Sequence, residues 1–562
     1  LEFGDQYIRF YTNHGQVVVS GVAAYNGATP YVVGDLVSNA GINYYCILAT
    51  TGNAPPNATY WYPLTGVIYE IPSPYSVADL TNADGTFALG LTGSNDVIYM
   101  TMRGYKPRKL VRAGGTNWRI ETLDTQGGPF KTVNITATTV YASARTGAGI
   151  TLTASTAIFQ AGHIGSNFYL EQKTVNAIKQ WEPGKAVLLN DLRRSDGKNY
   201  KALNAATTGS VKPIHNVGSA YDGDAGVQWE FQDPGYGWAT ITAIGGGGTT
   251  ATATVISAFP DQAVLVGNAS TKWAFSFFSD VEGWPTLPVF FKDRLGLLRD
   301  QSGCLSVSGD YENFRKKDDG GLVTAAMAIV FTLNTDTKNS IVWASPGDAA
   351  LLIGTTGGEF AVKPLTDQQA FGPDNVQGAP VSSYGSRGVV PVRIGDVVLF
   401  VQKSGRKLRD ILYNFVDNGY KSFDQTTLAD HIMKGGVTQI ALQQEPNQVI
   451  WATRADGRLL GMTYSREQYA DPPFGGWHPH RLGGAAICEC IGAGPNPVGD
   501  GSELWMIMRM TVGGVTKRYV CYMERERRDD DDPEDAFYVD CGLTLDNTVN
   551  ATLQPGAGAT VA

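Results

Sequence analysis

VVLFVQKSGRKLRDILY, residues 397–413, is the stretch whose reading decides the fold. Five apolar-rich residues lead into a turn holding Ser404, Gly405 and Arg406, and a second apolar-rich run returns from it. Two such runs joined by a glycine-bearing polar turn read as an antiparallel hairpin. The same unit recurs at 97–120 (VIYMTMRGYKPRKLVRAGGTNWRI), 289–307 (VFFKDRLGLLRDQSGCLSV), 351–362 (LLIGTTGGEFAV), 449–464 (VIWATRADGRLLGMTY) and 503–522 (ELWMIMRMTVGGVTKRYVCY). A strand-built unit returning about every fifty residues is the sequence signature of a β-propeller blade. The expected fold is therefore all-β, a propeller of six or seven blades. The count turns on whether the N-terminal hairpin closes the last blade.

Bulk composition agrees with this reading. A chain of 562 residues exceeds what one compact core usually holds, so a repeat domain with smaller companions is expected. Hydrophobic residues make up 43% and charged residues 17%, which argues against disorder. The 67 glycines and 27 prolines suit many short strands and tight turns. A net charge of −9 argues against nonspecific nucleic-acid affinity. No apolar run is long enough for a membrane-spanning helix. LEFGDQYIRFY opens in mid-strand and TLQPGAGATVA stops without a terminating element, so both ends of the natural chain are expected to extend further. The six cysteines form no CxxC pair, which argues against structural zinc and for free thiols in a protein assembled in a reducing compartment.

Along the chain, residues 1–19 read as a hairpin that closes the propeller and 67–121 as a blade. Within 67–121, Ser76 is placed to cap a short helix over SVADL. Residues 122–270, rich in Thr, Ala, Gly and Ser, read as inserted small β-barrels or sandwiches. Blades resume over 271–540, where Asp424 is a candidate cap for a helix over 425–433, and 541–562 begins a C-terminal β segment.

The insert 20–66 carries its own pattern, and a looser copy occupies 181–231. The first copy has Tyr25, Tyr31, Gly34, Asp35, Val37, Tyr44, Tyr45, Pro55, Tyr60 and Trp61. The second has Trp181, Gly184, Asp191, Gly197, Tyr200, Gly209, Pro213 and Trp229. Gly34-Asp35 makes a tight turn that the Asp35 carboxylate can lock by accepting from backbone amides. The aromatics form a miniature core in a module too small for another. The pattern resembles the small chitin-binding-like carbohydrate modules that accompany glycosidases. The resemblance implies that exposed rings stack on sugar, with Tyr25, Tyr31, Tyr60, Trp61, Trp181 and Trp229 as candidates. Tyr60 and Trp61 are the expected open platform. The bland alternative is that every ring is structural.

Catalytic chemistry is not legible. No phosphate-binding loop and no nucleophile elbow occur, and no pair of carboxylates stands out as a glycosidase couple. His478-Pro-His480 offers two imidazoles but no evident third ligand, and Pro479 suggests a loop. No metal, cofactor or enzymatic activity is expected. The run 524–535 holds Asp529, Asp530, Asp531 and Asp532, read as a solvated loop or as an acidic patch lining a channel.

Several phrases together point to one family. They are LEFGDQYIRFY (1–11), RGYKPRKLVR (103–112) with NWRIE (117–121), PVFFKDRLGLLRDQ (288–301) with SGDYENF (308–314), SIVWASPGDAALLIGTTGGEFAV (340–362), PVRIGDVVLFVQKSGRKLRDILYNF (391–415), GYKSFDQTTLADHI (419–432) and IALQQEPNQVIWATRADGRLLGMTY (440–464). The chain resembles the propeller-bearing nozzle or tail-tubular proteins of short-tailed bacteriophages. The resemblance implies a structural virion protein of the tail, assembled in the host cytoplasm. It implies a homohexameric ring around the DNA exit channel, below portal and adaptor, with fibres or spikes attached outside. DNA would pass without being gripped, which suits the negative charge. The alternative is a tail protein that binds a receptor or host surface polysaccharide through the aromatic modules.

Overall fold

The computed structural model describes residues 1–174, 178–224, 226–318, 322–335, 339–366, 368–465 and 474–524. The chain divides into two units, Leu1–Leu428 and Ala429–Ala562. It is an all-β protein in which small antiparallel sheets follow one another.

Four four-stranded meanders form the frame of the first unit. They run Gly90–Ser94, Val97–Met102, Tyr105–Gly114, Asn117–Thr122; then Leu287–Phe290, Leu295–Arg299, Ser302–Leu305, Ile329–Thr332; then Ile341–Pro346, Leu351–Thr355, Glu359–Lys363, Gln377–Ser382; and then Val392–Ile394, Val397–Val401, Leu408–Asn414, Gly419–Lys421. In each, the hairpin quoted above supplies the two central strands. Central strands such as Leu351–Thr355 and Val397–Val401 are buried at every position, because both faces of the sheet are covered. That explains why these segments read as continuous apolar runs.

What covers them is the next sheet. Tyr99 and Leu123 pack with Leu295, Leu297 and Cys304. Leu298, Leu305 and Phe331 pack with Leu351, Ile353 and Phe360. Leu352 and Ala361 pack with Val398, Phe400 and Ile411. Burying each of the leucine, isoleucine, valine and phenylalanine side chains among them contributes about 1.5–3 kcal/mol. The first strands of neighbouring sheets come close enough to require glycine at position 90, where a Cβ would lie 2.6 Å from the Thr286 carbonyl oxygen. Buried Arg294 donates to the carbonyls of Ser306, Ala326 and Met327 at 2.6–3.0 Å, and to that of Ala325 at 2.5 Å. It clamps the long connection between the last two strands of its sheet.

The second unit holds another meander, Val437–Gln443, Val449–Arg454, Leu459–Ser465 and Phe474–His480, and a three-stranded sheet, Ile487–Pro495, Ser502–Val512 and Val515–Tyr522. Ala441, Trp451 and Leu459 pack against Cys488, Ile491, Leu504, Met506 and Met508.

Three insertions interrupt the first unit. A three-stranded sheet, Leu36–Asn39, Ile42–Cys46 and Trp61–Pro63, follows the N-terminal strands, whose Tyr7–Arg9 pairs with Glu70–Pro72 beyond it. A six-stranded sheet is ordered Val140–Ala142, Ile150–Ala154, Thr250–Ser257, Tyr236–Gly245, Asn167–Glu171, Trp273–Phe275. It curls until Val140 exchanges both backbone hydrogen bonds with Ser270 at 2.8 Å, enclosing Leu152, Phe168, Ile241 and Phe259. The third insertion sits in a hairpin of that sheet and is built on Leu192–Ser195, Lys198–Ala202, Ser219–Tyr221 and Gln228–Asp233.

Two local expectations resolve differently. Ser76 does cap the helix Val77–Leu80, in a capping box with Asp79. The helix expected over 425–433 does not form. Asp424 instead accepts from the Thr426 amide at 2.9 Å within a turn, and only a 3₁₀ turn follows, at Ile432–Gly435. No helix among the described residues is long and apolar enough to cross a membrane. Cys46, Cys304, Cys488, Cys490 and Cys521 are free thiols. Cys541 and the segment 541–562 lie outside the described residues, as do Asp529, Asp530, Asp531 and Asp532.

Candidate functional site

The two aromatic inserts are one module used twice. In the first, the Tyr25 amide donates to Ser38 O at 2.9 Å, Cys46 N to Asp35 O at 2.8 Å, and Tyr31 pairs with Thr50. In the second, Trp181 N donates to Arg194 O at 2.8 Å, Ala202 N to Asp191 O at 2.9 Å, and Val187 pairs with Ala206. Up to the end of the second strand the correspondences keep one distance along the chain: 25 to 181, 31 to 187, 35 to 191, 46 to 202. The turn before each aspartate, Gly34-Asp35 in the first copy and Asn190-Asp191 in the second, works as its chemistry requires. Asp35 Oδ2 accepts from Val32 N at 2.8 Å and Asp191 Oδ2 from Leu188 N at 3.2 Å. Both copies turn their first hairpin through two residues at positive φ, Ala40-Gly41 (49° and 80°) and Asp196-Gly197 (47° and 81°). That is the type I′ geometry suited to strand twist.

The copies bury their rings. Trp61 is 1% exposed and its Nε1 donates to Asn53 O at 2.7 Å. Tyr31 is also buried, edge-on to Trp61 at 5.3 Å. In the second copy Trp229 and Trp181 are buried, and both indoles donate to Asp222 Oδ2, at 2.8 and 3.0 Å. Asp222 is fully buried and takes the Val227 amide on Oδ1 at 2.7 Å. Gly226 makes room for it, since a Cβ there would lie 1.9 Å from Oδ1. Trp61 as an open platform is thus corrected: a core of five buried residues, Tyr31, Val37, Tyr44, Cys46 and Trp61, leaves no ring to spare. Tyr25 and Tyr60 are half-buried against that core. Tyr25 stacks on Tyr31 at 5.5 Å, and its enclosed hydroxyl has no hydrogen-bond partner among the described residues.

One face distinguishes the copies. In the first, Val33, Leu36, Tyr45, Ile47 and Tyr62 pack on the N-terminal strands and the 90–122 sheet, and Tyr45 Oη donates to Trp118 O at 2.7 Å. Tyr45 and Tyr62 are paired across strands. Their counterparts, Lys201 and Glu230, are paired in the same register and joined by a 2.8 Å salt bridge. The second copy is held elsewhere, by Arg145 to Gln232 and Asp233 at 3.1 Å and by Asn199 to Gln172 at 3.0 Å.

His478 and His480 lie on a strand, not in a loop. His478 Nδ1 and His480 Nε2 are 2.8 Å apart, with both rings against Trp451. Burial holds both imidazoles below their ordinary pKa. Among the described residues no three histidine, cysteine or carboxylate side chains gather as a metal site. Asp222 escaped the sequence reading, because an acid among glycines signals only a turn.

No protein-family model matches the chain, and no curated protein matches its sequence. Among solved structures, the chain is similar to a "putative 6-phosphogluconolactonase" from Bacteroides uniformis at 9% identity and a TM-score of 0.27, over 64% of this chain and 99% of that one. A protein of the same description from Bacteroides fragilis gives 10% and 0.24, over 65% and 99%. The extracellular domain of a hybrid two-component system from B. thetaiotaomicron gives 11% and 0.26, over 87% and 60%. Likenesses at this level carry no argument about what the chain does.

Proposed function

We propose that the chain is a structural, non-enzymatic β-propeller subunit of a bacteriophage tail. In this reading it forms a sixfold nozzle around the DNA exit channel and offers outer surface to fibres or spikes. The observation that carries the reading is where the family-like phrases fall. The phrases at 288–301, 340–362, 391–415 and 440–464 each lie on consecutive antiparallel strands of one meander. They are framework phrases, as a ring subunit requires, and the inserted modules leave that framework at its loops. Antibody labelling of intact particles, viewed by negative-stain electron microscopy, tests it. Label confined to a short tail is expected, and particles without label there would overturn the reading.

A polysaccharide-binding role for the modules is the second reading. Half-buried Tyr25 and Tyr60 favour it, since they keep part of each ring open. Silence on a glycan array would count against it.

A further inference from the structure

Strand Phe474–His480 is the outer strand of its four-stranded sheet. His478 and His480 are two apart on it and so point to the same face. Pro479 between them is exposed and fixes the backbone that spaces them. Across the sheet, Trp451, Gly461 and His478 stand in one row. Glycine in the middle of that row leaves room for the imidazole, since a Cβ at position 461 would lie 2.0 Å from His478 Cε1. Trp451 walls both rings, its centre 5.9 Å from that of His478 and 5.1 Å from that of His480. Trp451 is itself fixed, buried and donating from Nε1 to Gln443 Oε1 at 2.8 Å. Both histidines remain half-exposed.

This frame turns one nitrogen of each ring toward the other, His478 Nδ1 and His480 Nε2, 2.8 Å apart. Each neutral ring carries one proton, and one of the two protons bridges the pair. Burial keeps both rings neutral at pH 7, the form in which imidazole ligates metals. Two nitrogens 2.8 Å apart, each about 2.0–2.1 Å from a shared ion, subtend about 85° at it. That is close to the right angle between neighbouring positions of a square-planar or octahedral ion.

We propose that His478 and His480 chelate a divalent transition ion of the Cu(II) or Ni(II) type, the ion taking the place of the proton between Nδ1 and Nε2 and keeping water at its other positions. The bridging proton moves to the other nitrogen of its own ring, and both lone pairs turn to the common ion, so binding releases no net proton. Imidazole suits these ions, whereas Mg(II) and Ca(II) require oxygen ligands. Two protein ligands make an open, exchangeable site on the sheet edge and not a structural centre. The proposal is independent of the tail assignment, because it rests on this strand alone.

Calorimetric titration of the full chain with Ni(II), and the electron paramagnetic resonance spectrum of the chain with one equivalent of Cu(II), test it. A saturable Ni(II) site with a Kd below about 100 µM is expected. His478→Gln and His480→Gln should each weaken it at least about tenfold, while His431→Gln, at an exposed position elsewhere, leaves it unchanged. Mg(II) should not compete. The copper spectrum should show coupling to two nitrogens, and to fewer in either single variant. Thermal melting identifies any variant that has lost its fold, and the copper spectrum of the unaltered chain then decides alone. No saturable Ni(II) binding below about 1 mM, undiminished binding by both folded variants, or a copper spectrum with oxygen ligands only would each overturn the proposal.

Discussion

Replacing Asp222 by alanine should unfold the second module while leaving its host intact. The carboxylate serves three buried donors, the indoles of Trp181 and Trp229 and the amide of Val227. A buried donor left without an acceptor costs about 1–3 kcal/mol. Three neighbours in one network do not add independently, so the expected loss is about 3–6 kcal/mol. Among the described residues the module's own core has six buried members, Trp181, Val187, Tyr200, Ala202, Val227 and Trp229. Such a core supplies no more than about 3–5 kcal/mol, so the loss is comparable to the whole. Native-state hydrogen exchange separates the module from its surroundings. Protection across strands Lys198–Ala202 and Gln228–Asp233 should fall by at least about a hundredfold, while strands Ile150–Ala154 and Thr250–Ser257 keep theirs. A fall of less than about tenfold would refute the argument that Asp222 holds the module together. The first copy provides the contrast, because Trp61 uses a backbone carbonyl that no single side-chain change removes.

Trp61→Ala should destabilise the first module by about 3–5 kcal/mol, as a core truncation does, read by urea unfolding. Arg294→Met should cost about 3–5 kcal/mol in the same assay and open the 306–327 connection to proteolysis, because four carbonyls lose their donor. Burial holds Glu359 above its ordinary pKa of 4.5, so the folded chain binds that proton more tightly than the unfolded one. Stability should therefore fall as pH rises from 4.5 through the folded value, and melting-temperature profiles of Glu359→Gln should lack that fall. For His478 and His480 the sign reverses. Burial lowers both below 6.5, so their contribution is complete above 6.5 and lost as pH falls through the lowered values. His480→Phe should reduce this acid sensitivity, followed through Trp451 fluorescence.

The hairpins of the frame were legible because strand and turn chemistry alternate within a few residues. VVLFV needs both faces covered, and Gly405 at φ 73° needs no side chain. The module repeat was legible for the same local reason, through its turn aspartates Asp35 and Asp191 and its ring spacing. Whether those rings face solvent was not, since a ring that fills a small core and one that stacks on a ligand are the same residue. Asp424 misled because its carboxylate caps a turn as readily as a helix, and Thr426 and Thr427 after it disfavour helix. Pro479 misled because it sits on an edge strand, where a missing amide donor costs nothing. Of the partners of Asp222, Val227 and Trp229 follow within a few residues but Trp181 lies 41 residues before it, and no local pattern announces that the three share one carboxylate.

The insertions are written like brackets within brackets. Val18 bridges Ile68 across the first module, Phe130 bridges Ser276 across the six-stranded sheet, and Gln172 N donates to Gly235 O at 3.0 Å across the second module. At each level the chain leaves and returns through adjacent points. Removing the enclosed text would leave the surrounding sentence grammatical, because the host strands already meet where the gap would close. Chain-closure entropy grows only slowly with the length enclosed, about 0.6 kcal/mol per doubling. The framework can therefore accommodate exchange, loss or duplication of whole modules at these seams, at little cost in closure entropy.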